Sequence, residues 1–135
     1  MKVLYITHCS KKKNSINSET TPEKLYSASY LQRFIKKCKE MKVNWGILSD
    51  KYGIVFPNQR IKWYELSPSF LLKHKAESRK LIEKLQQQLQ GFDKIFFYHN
   101  PGRFHPFYRY VIKKLRKLGI NIRLISHLSQ INIRG

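Results

Sequence analysis

Four short apolar segments alternate with longer amphipathic segments along the chain. The apolar segments are rich in β-branched and aromatic residues, which predicts buried strands over residues 2–8, 43–49, 93–99 and 120–125. The amphipathic segments carry apolar side chains at three- and four-residue steps, which predicts helices over residues 22–41, 67–90 and 106–117. The helix starts have Pro or Ser at the expected positions, namely Pro22, Ser67 or Ser69, and Pro106.

This alternation predicts a single three-layer α/β domain over residues 1–135, because strands that alternate with helices form parallel sheets with right-handed crossovers. The mostly parallel central sheet should contain about four strands. Residues 54–66 contain Pro57 and Asn58 and are expected to be irregular, with room for one short strand. The weak pattern of residues 126–135 predicts a loosely ordered tail.

The charge balance adds a partner class to this fold. The chain carries 27 Lys and Arg against 8 Asp and Glu, a net charge of +19, so a polyanion such as DNA or RNA is the expected partner. No apolar run reaches the ~18 residues of a membrane span, so no membrane association is expected. Cys9 and Cys38 form no CxxC motif, which predicts a reduced, cytoplasmic protein without a disulfide or structural zinc. No cofactor is predicted.

Ligands of open parallel sheets bind beyond the carboxyl ends of the strands, which directs attention to three polar segments. The first contains Cys9, Ser10, Lys11 and Lys13. Its lysines and hydroxyl can hold phosphate or a nucleic-acid backbone, and the alternative is a solvated basic loop. Cys9 beside lysines has the features of an activated nucleophile, but base rates favour a buried structural cysteine.

The second segment follows the second strand and contains Ser49, Asp50, Lys51, Tyr52 and Gly53. Asp50 can act as a base or bind a base edge or a ribose hydroxyl, and the alternative is that it pairs with Lys51 or caps the turn. Gly53 predicts a positive φ or a close backbone approach. Tyr52 can stack on a base or sugar, or can be an ordinary residue at the edge of the core.

Two residues further along the chain, Tyr64 and Glu65, are expected to join this second segment at the site. Tyr64 has the same two interpretations as Tyr52. Glu65 and Asp50 are the only acids near the expected crevice, so they are the two candidates for a catalytic role.

The third segment, residues 98–110, interleaves basic residues with aromatic rings. His99, Asn100 and Arg103 are the candidate ligands, because charge for phosphate and rings for stacking suit a single strand or a flipped base. The alternative is that the aromatic residues pack the last helix onto the sheet, as expected for Phe107. No metal is expected, because the spacing of His99 and His105 does not suit one helix face and no third ligand is evident.

Four motifs occur in order: CSKKK after the first strand, LYSAS, ILSDKYGIV after the second strand, and IKWYEL. They resemble a family of small uncharacterised proteins with a C-x-K-x-K start and an L-S-x-K-Y-G core. They also resemble the peroxide-stress YaaA family and, more loosely, the domain of archaeosine synthase that is related in fold to uracil-DNA glycosylases.

This resemblance implies a YaaA-like or uracil-DNA-glycosylase-like fold and a role with DNA or a modified base, since YaaA-type proteins are described as DNA-binding and protective against oxidative damage. The chain is about half the length of a YaaA protein, and Trp63 stands where those proteins have Pro before the Tyr. The loop from Cys9 to Asn14 has no acid of the kind that activates water in a glycosylase. The positions that match the motifs are Cys9, Lys11, Lys13, Tyr26, Ser27, Ser49, Lys51, Tyr52, Gly53, Tyr64 and Glu65.

Three functions follow as hypotheses. The first is a YaaA-like nucleic-acid-binding protein that recognises or acts on a base or nucleotide at its strand-end loops. The second is an enzyme on a small nucleotide or deazaguanine-type ligand, with the basic surface docking tRNA. The third is a basic accessory ribonucleoprotein component without catalysis, so whether the protein is an enzyme stays open at this point.

Overall fold

The computed structural model describes residues 1–9, 13, 18–64, 66–99 and 104–132. Within these ranges the strands are β1 (Val3–His8), β2 (Asn44–Ser49), β3 (Gly53–Val55), β4 (Lys94–Tyr98) and β5 (Ile122–Ile125). The α-helices are α1 (Pro22–Leu25), α2 (Ser29–Met41), α3 (Pro68–Lys73), α4 (Lys75–Leu89) and α5 (Pro106–Lys117), and a short 3-10 helix covers Leu128–Gln130. No helix in the described ranges has both the length and the apolar character needed to cross a membrane.

The strands form one sheet in the order β3-β2-β1-β4-β5. β1 pairs in parallel with β2 and β4, and β4 pairs in parallel with β5, whereas β3 runs antiparallel to β2 at one edge. This confirms the predicted α/β domain with a mostly parallel sheet. The chain moves from β1 to β2 on one side and later to β4 on the other, so the strand order reverses at β1. Such a switch point is where open α/β sheets place their ligands.

The two faces of the sheet are covered by different helices. Leu4 and Ile6 of β1 point to the core beneath α3, α4 and α5, whereas Tyr5 points to the core beneath α1 and α2. This alternation follows from the two-residue period of a strand. Phe34 of α2 and Val111 of α5 are buried on the two opposite sides, so the sheet is the middle of three layers.

The first predicted helix, over residues 22–41, is divided in two by an extended Tyr26. Its φ of −85° and ψ of 116° end α1, and it forms an isolated antiparallel bridge with Lys13. The Tyr26 side chain is fully buried and its hydroxyl lies 2.6 Å from that of Tyr64. The prediction of a continuous helix was wrong because burial of this tyrosine overrides a helical pattern that continues across it.

The second predicted helix, over residues 67–90, is also divided, at His74 (φ −116°, ψ 88°), between α3 and α4. The break interrupts the helical hydrogen bonds of α3. The Ser78 hydroxyl donates to the Leu71 carbonyl across the break, so this backbone acceptor is satisfied. Ser67 is the N-cap, because its hydroxyl accepts from the Phe70 N–H at 3.1 Å. Of the two predicted starts, Ser67 and Ser69, the structure therefore has the first.

The bounds of α5 are those that the sequence predicted. The last predicted strand begins two residues later than expected, at Ile122. In the segment expected to be loose, Ile131 is buried and the Tyr5 hydroxyl donates to the Asn132 carbonyl at 3.2 Å. These contacts fix the chain against the sheet as far as residue 132, whereas residues 133–135 lie outside the described ranges.

Candidate functional site at the carboxyl ends of the parallel strands

Three predicted polar segments leave the sheet at the same edge. Cys9 follows β1 and its N–H donates to the Leu48 carbonyl of β2 at 2.9 Å. Asp50 follows β2, and His99 follows β4 and donates its N–H to the Ile125 carbonyl at 3.1 Å. The carboxyl ends of the central strands therefore bring these side chains to the switch point of the sheet.

Asp50 is the buried carboxylate of this edge, with 4% of its surface exposed. Its Oδ1 accepts a hydrogen bond of 2.9 Å from the hydroxyl of Tyr108, which reaches across from α5. The Cys9 Sγ lies 3.8 Å from the same hydroxyl. The turn after β2 is capped by Ser49 instead of Asp50, because the Ser49 Oγ accepts from the backbone N–H groups of Lys51 and Tyr52 at 3.1 and 3.0 Å.

Burial sets the protonation of this cluster. It raises the pKa of Asp50 to about 6, and hydrogen bonds from Tyr108 and Cys9, with the charge of Lys13, oppose the rise. A carboxyl with such a pKa changes charge close to neutral pH and can accept a proton there. Burial, with the neighbouring Asp50 charge, raises the pKa of the Cys9 thiol to about 12. Cys9 is therefore a neutral buried thiol, which agrees with the buried structural cysteine that base rates favoured over an activated nucleophile.

His8 contributes an unused acceptor to the same edge. Its Nδ1 lies 2.9 Å from the Cys9 carbonyl, which can only accept, and 3.1 Å from the Tyr30 hydroxyl, which can accept or donate; a hydrogen on Nδ1 is the assignment that satisfies both contacts. Burial lowers the pKa of His8, so the ring is neutral at pH 7 and Nε2 presents a lone pair. That buried Nε2 has no hydrogen-bond partner among the described residues. The His8 ring stacks on Tyr108, with centroids 4.9 Å apart, so both rings border the Asp50 cluster.

A second hydrogen-bonded group lies on the other side of the β2 end. The Ser49 hydroxyl donates to the Tyr64 oxygen at 3.0 Å, and that oxygen lies 2.6 Å from the Tyr26 hydroxyl. Burial raises the pKa of both tyrosines, so they stay neutral phenols. Tyr52 is half-buried and meets Tyr64 edge to face at 5.4 Å, and the Lys13 Nζ lies 4.5 Å from the Tyr64 ring centroid.

Other predicted site residues serve the fold or face solvent. Gly53 has a φ of +74°, and a Cβ there would lie 2.5 Å from the Gln88 Oε1. The Gln88 amide binds both backbone groups of Ile54, at 2.8 and 2.9 Å, so Gly53 lets α4 hold the edge strand β3. Lys51 is exposed with its Nζ 5.3 Å from the Tyr52 ring centroid, and Ser27 is half-buried between α1 and α2.

Five predicted site residues lie outside the described ranges: Ser10, Lys11, Glu65, Asn100 and Arg103.

Sequence reasoning overlooked Tyr108 and gave His8 no role of its own. His8 could have been found from the sequence, because it is a polar residue at the last position of a buried strand, where ligands of such sheets bind. Tyr108 carries no comparable signal, because a tyrosine on the apolar side of a helix is ordinary core material. In the described ranges no three His, Cys, Asp or Glu side chains are grouped so that they could hold a metal ion.

The fold and the site define an α/β protein with a buried carboxylate, tyrosine and histidine at the switch point of a mostly parallel sheet. Residues 4–132 match the family described as a family of unknown function, DUF6884, and the chain belongs to that family. The match begins at the second residue of β1 and includes every later strand and helix described above. No curated protein and no solved structure matches the chain.

Proposed function

We propose that this protein binds nucleic acid and receives a base or nucleotide at the carboxyl ends of β1 and β2. The observation that carries the proposal is the buried Asp50 carboxylate, held by Tyr108 beside a His8 Nε2 that has no hydrogen-bond partner in the described part of the chain. Both groups are hydrogen-bond acceptors at this edge. Base edges offer N–H donors, which are the complement of such acceptors.

The energetic cost of the cluster supports a ligand. A buried acceptor without a partner costs about 1–3 kcal/mol, and a buried carboxylate is costly as well. Folds retain such groups mainly where function requires them. A ligand that donates N–H groups to Asp50 and His8 removes part of this cost when it binds.

The charge of the chain supports a phosphate-bearing ligand. The net charge is +19, and Lys13 lies close enough to Asp50 to lower the pKa of that carboxyl. A lysine at this edge can hold a phosphate while the base lies toward Asp50. The proposal leaves both DNA and RNA as partners. Both cysteines are free and buried, which supports the cytoplasmic location that we propose with it.

The relation to the YaaA family and to uracil-DNA glycosylases is part of the same proposal. It rests on the motifs, and Cys9, Tyr26, Ser49, Tyr52 and Tyr64 from these motifs lie around one edge of the sheet. Catalysis on the bound nucleotide is the second candidate function. The pKa of Asp50, at about 6, favours it because the carboxylate can accept a proton near neutral pH.

The test compares wild-type protein with Asp50→Asn. Asn keeps the size of the side chain and an oxygen for Tyr108, but it replaces the charged acceptor with an amide. Binding of 5′-mononucleotides and free bases is measured by calorimetry, and binding of DNA and RNA oligonucleotides by fluorescence anisotropy across salt concentrations. Glu83→Gln on α4 is the control, since it makes the same carboxylate-to-amide change at an exposed side chain.

We expect salt-dependent oligonucleotide binding by the wild type, and base or nucleotide binding that Asp50→Asn weakens at least tenfold. That factor corresponds to about 1.4 kcal/mol, the lower range for a hydrogen bond to a charged group. The Glu83→Gln variant should bind as the wild type does. Equal nucleotide affinity in Asp50→Asn and wild type, or no binding of any nucleotide, base or oligonucleotide, contradicts the proposal.

A further inference from the structure

A groove of about 560 Å³ lies between α5 and β5, outside the cluster around Asp50. Phe104, Ile112 and Leu124 supply its apolar surface, and Leu124 of the edge strand is 43% exposed. The basic residues that line the groove are His99, Arg109, Lys113, Arg116 and Lys117. None of the described lining residues carries a carboxylate. His99 directly follows β4, so the groove begins at the edge of the sheet that holds the candidate site.

The charge around this groove is one-sided over a long stretch of chain. Residues 94–135 contain nine Lys and Arg and no Asp or Glu. All 8 acids of the chain precede them. Elsewhere in the described part of the chain, Lys39 has an acidic partner in Glu23, and their charged groups are 2.9 Å apart. The described residues that line the α5–β5 groove include no acid, so the groove attracts anions.

Two contacts give the groove a defined shape. The Nε and Nη2 of Arg116 donate to the Ile122 carbonyl at 3.1 and 2.9 Å, which ties α5 to β5. The guanidinium of Arg109 lies over the Phe104 ring, 5.6 Å from its centroid. A guanidinium beside an aromatic ring gives the groove two planar groups against which a base can stack.

From these observations we infer that the α5–β5 groove binds a single-stranded nucleic acid, whose backbone passes Lys113 and Lys117 and whose bases contact Phe104, Arg109 and Leu124. This inference rests on the proposed function, because the strand would lead to the base site at Asp50. A positively charged groove with planar and apolar surfaces is the pattern of single-strand binding. In a duplex the faces of the bases are stacked on one another, so they cannot contact the apolar surface of the groove.

The test measures salt-dependent binding of a single-stranded oligonucleotide and of its duplex by fluorescence anisotropy. The groove variant is Lys113→Ala/Lys117→Ala, which leaves Arg116 and its bonds to β5 in place. The control is Lys36→Ala/Lys37→Ala on α2, which removes the same charge from the opposite face of the sheet. Circular dichroism and thermal unfolding establish that both variants fold as the wild type does.

Loss of two phosphate contacts should reduce the slope of log K against log salt by about 1.4, which is about 25-fold in affinity at 0.1 M salt. The control should change single-strand affinity far less. Arg109→Lys keeps the charge but removes the flat guanidinium, so it should weaken binding with an unchanged slope.

The outcomes separate the groove from the proposed function. If the oligonucleotide binds the wild type and the groove variant loses no more affinity than the control, the groove inference is overturned while the base site stands. The same holds if the groove variant weakens duplex binding as much as single-strand binding. Absence of any oligonucleotide binding overturns both. Mononucleotide binding at Asp50 should be unchanged in the groove variant.

Discussion

Replacing Asp50 with Asn should change how the stability of the fold depends on pH. Burial raises the pKa of Asp50 from 3.8 to about 6. Between these two values the folded state holds a proton that the unfolded state has released, so stability falls as pH rises through this window. A shift of about 2 units corresponds to about 3 kcal/mol, of which roughly 2 falls between pH 4 and pH 8.

The quantity to measure is the difference in unfolding free energy between Asp50→Asn and wild type at each pH. Any pH-independent effect of the substitution, such as a change in local packing, cancels when this difference is compared across pH values, and the hydrogen bond from Tyr108 is already one of the causes that set the pKa of Asp50. The difference should increase by about 2 kcal/mol in favour of Asp50→Asn from pH 4 to pH 8.

The assay is urea unfolding followed by tryptophan fluorescence at one-unit intervals from pH 4 to pH 8. The chain contains 2 tryptophans, one of which, Trp45, is buried in β2. Glu83→Gln is the control, since it removes an exposed carboxylate and should show no such trend relative to wild type. A constant difference in unfolding free energy between Asp50→Asn and wild type across this range would refute the conclusion that burial raises the pKa of Asp50.

Further predictions concern three other features of the same region. The native thiols, including Cys9 with its pKa of about 12, should resist a thiol-reactive dye at pH 8 until urea unfolds the protein, and rapid labelling of the folded state would be inconsistent with their burial. Tyr108→Phe should destabilise the fold by about 1–3 kcal/mol at pH 8 but much less at pH 5, where Asp50 is protonated, and a pH-independent loss would contradict the bond between them. Gly53→Ala should cost about 1–2 kcal/mol in unfolding free energy because φ is +74°, whereas Gly91→Ala, which meets open space, should be well tolerated; equal effects would count against the strained turn.

The parts of the fold that the sequence predicts are those set by local pattern. Pro106 and a regular apolar period define α5, and the apolar runs define four strands of the sheet. The helix breaks at Tyr26 and His74 are not predicted, because the apolar period continues through both. The break at Tyr26 depends on a hydroxyl contact with Tyr64, 38 residues away, which no local pattern contains.

The candidate site also has residues that the sequence predicts and residues that only the structure identifies. Asp50 and Ser49 are found from the rule that ligands bind at strand ends, because both residues stand at the end of an apolar run. The partner that holds Asp50 is Tyr108, 58 residues further along the chain. Its role depends on how α5 packs over the sheet, which places its hydroxyl at the strand ends. The His8 Nε2, which lacks a partner among the residues that the structure describes, is likewise found only when its surroundings are known.

The proposed base site at the carboxyl ends of β1 and β2 is tested most directly by a crystal structure of the protein soaked in turn with each 5′-mononucleotide. We expect density for a base with an N–H group within hydrogen-bond distance of the Asp50 carboxylate or the His8 Nε2, and with its phosphate on the side of Lys13. A nucleotide bound elsewhere, or an empty edge at saturating nucleotide, would contradict it.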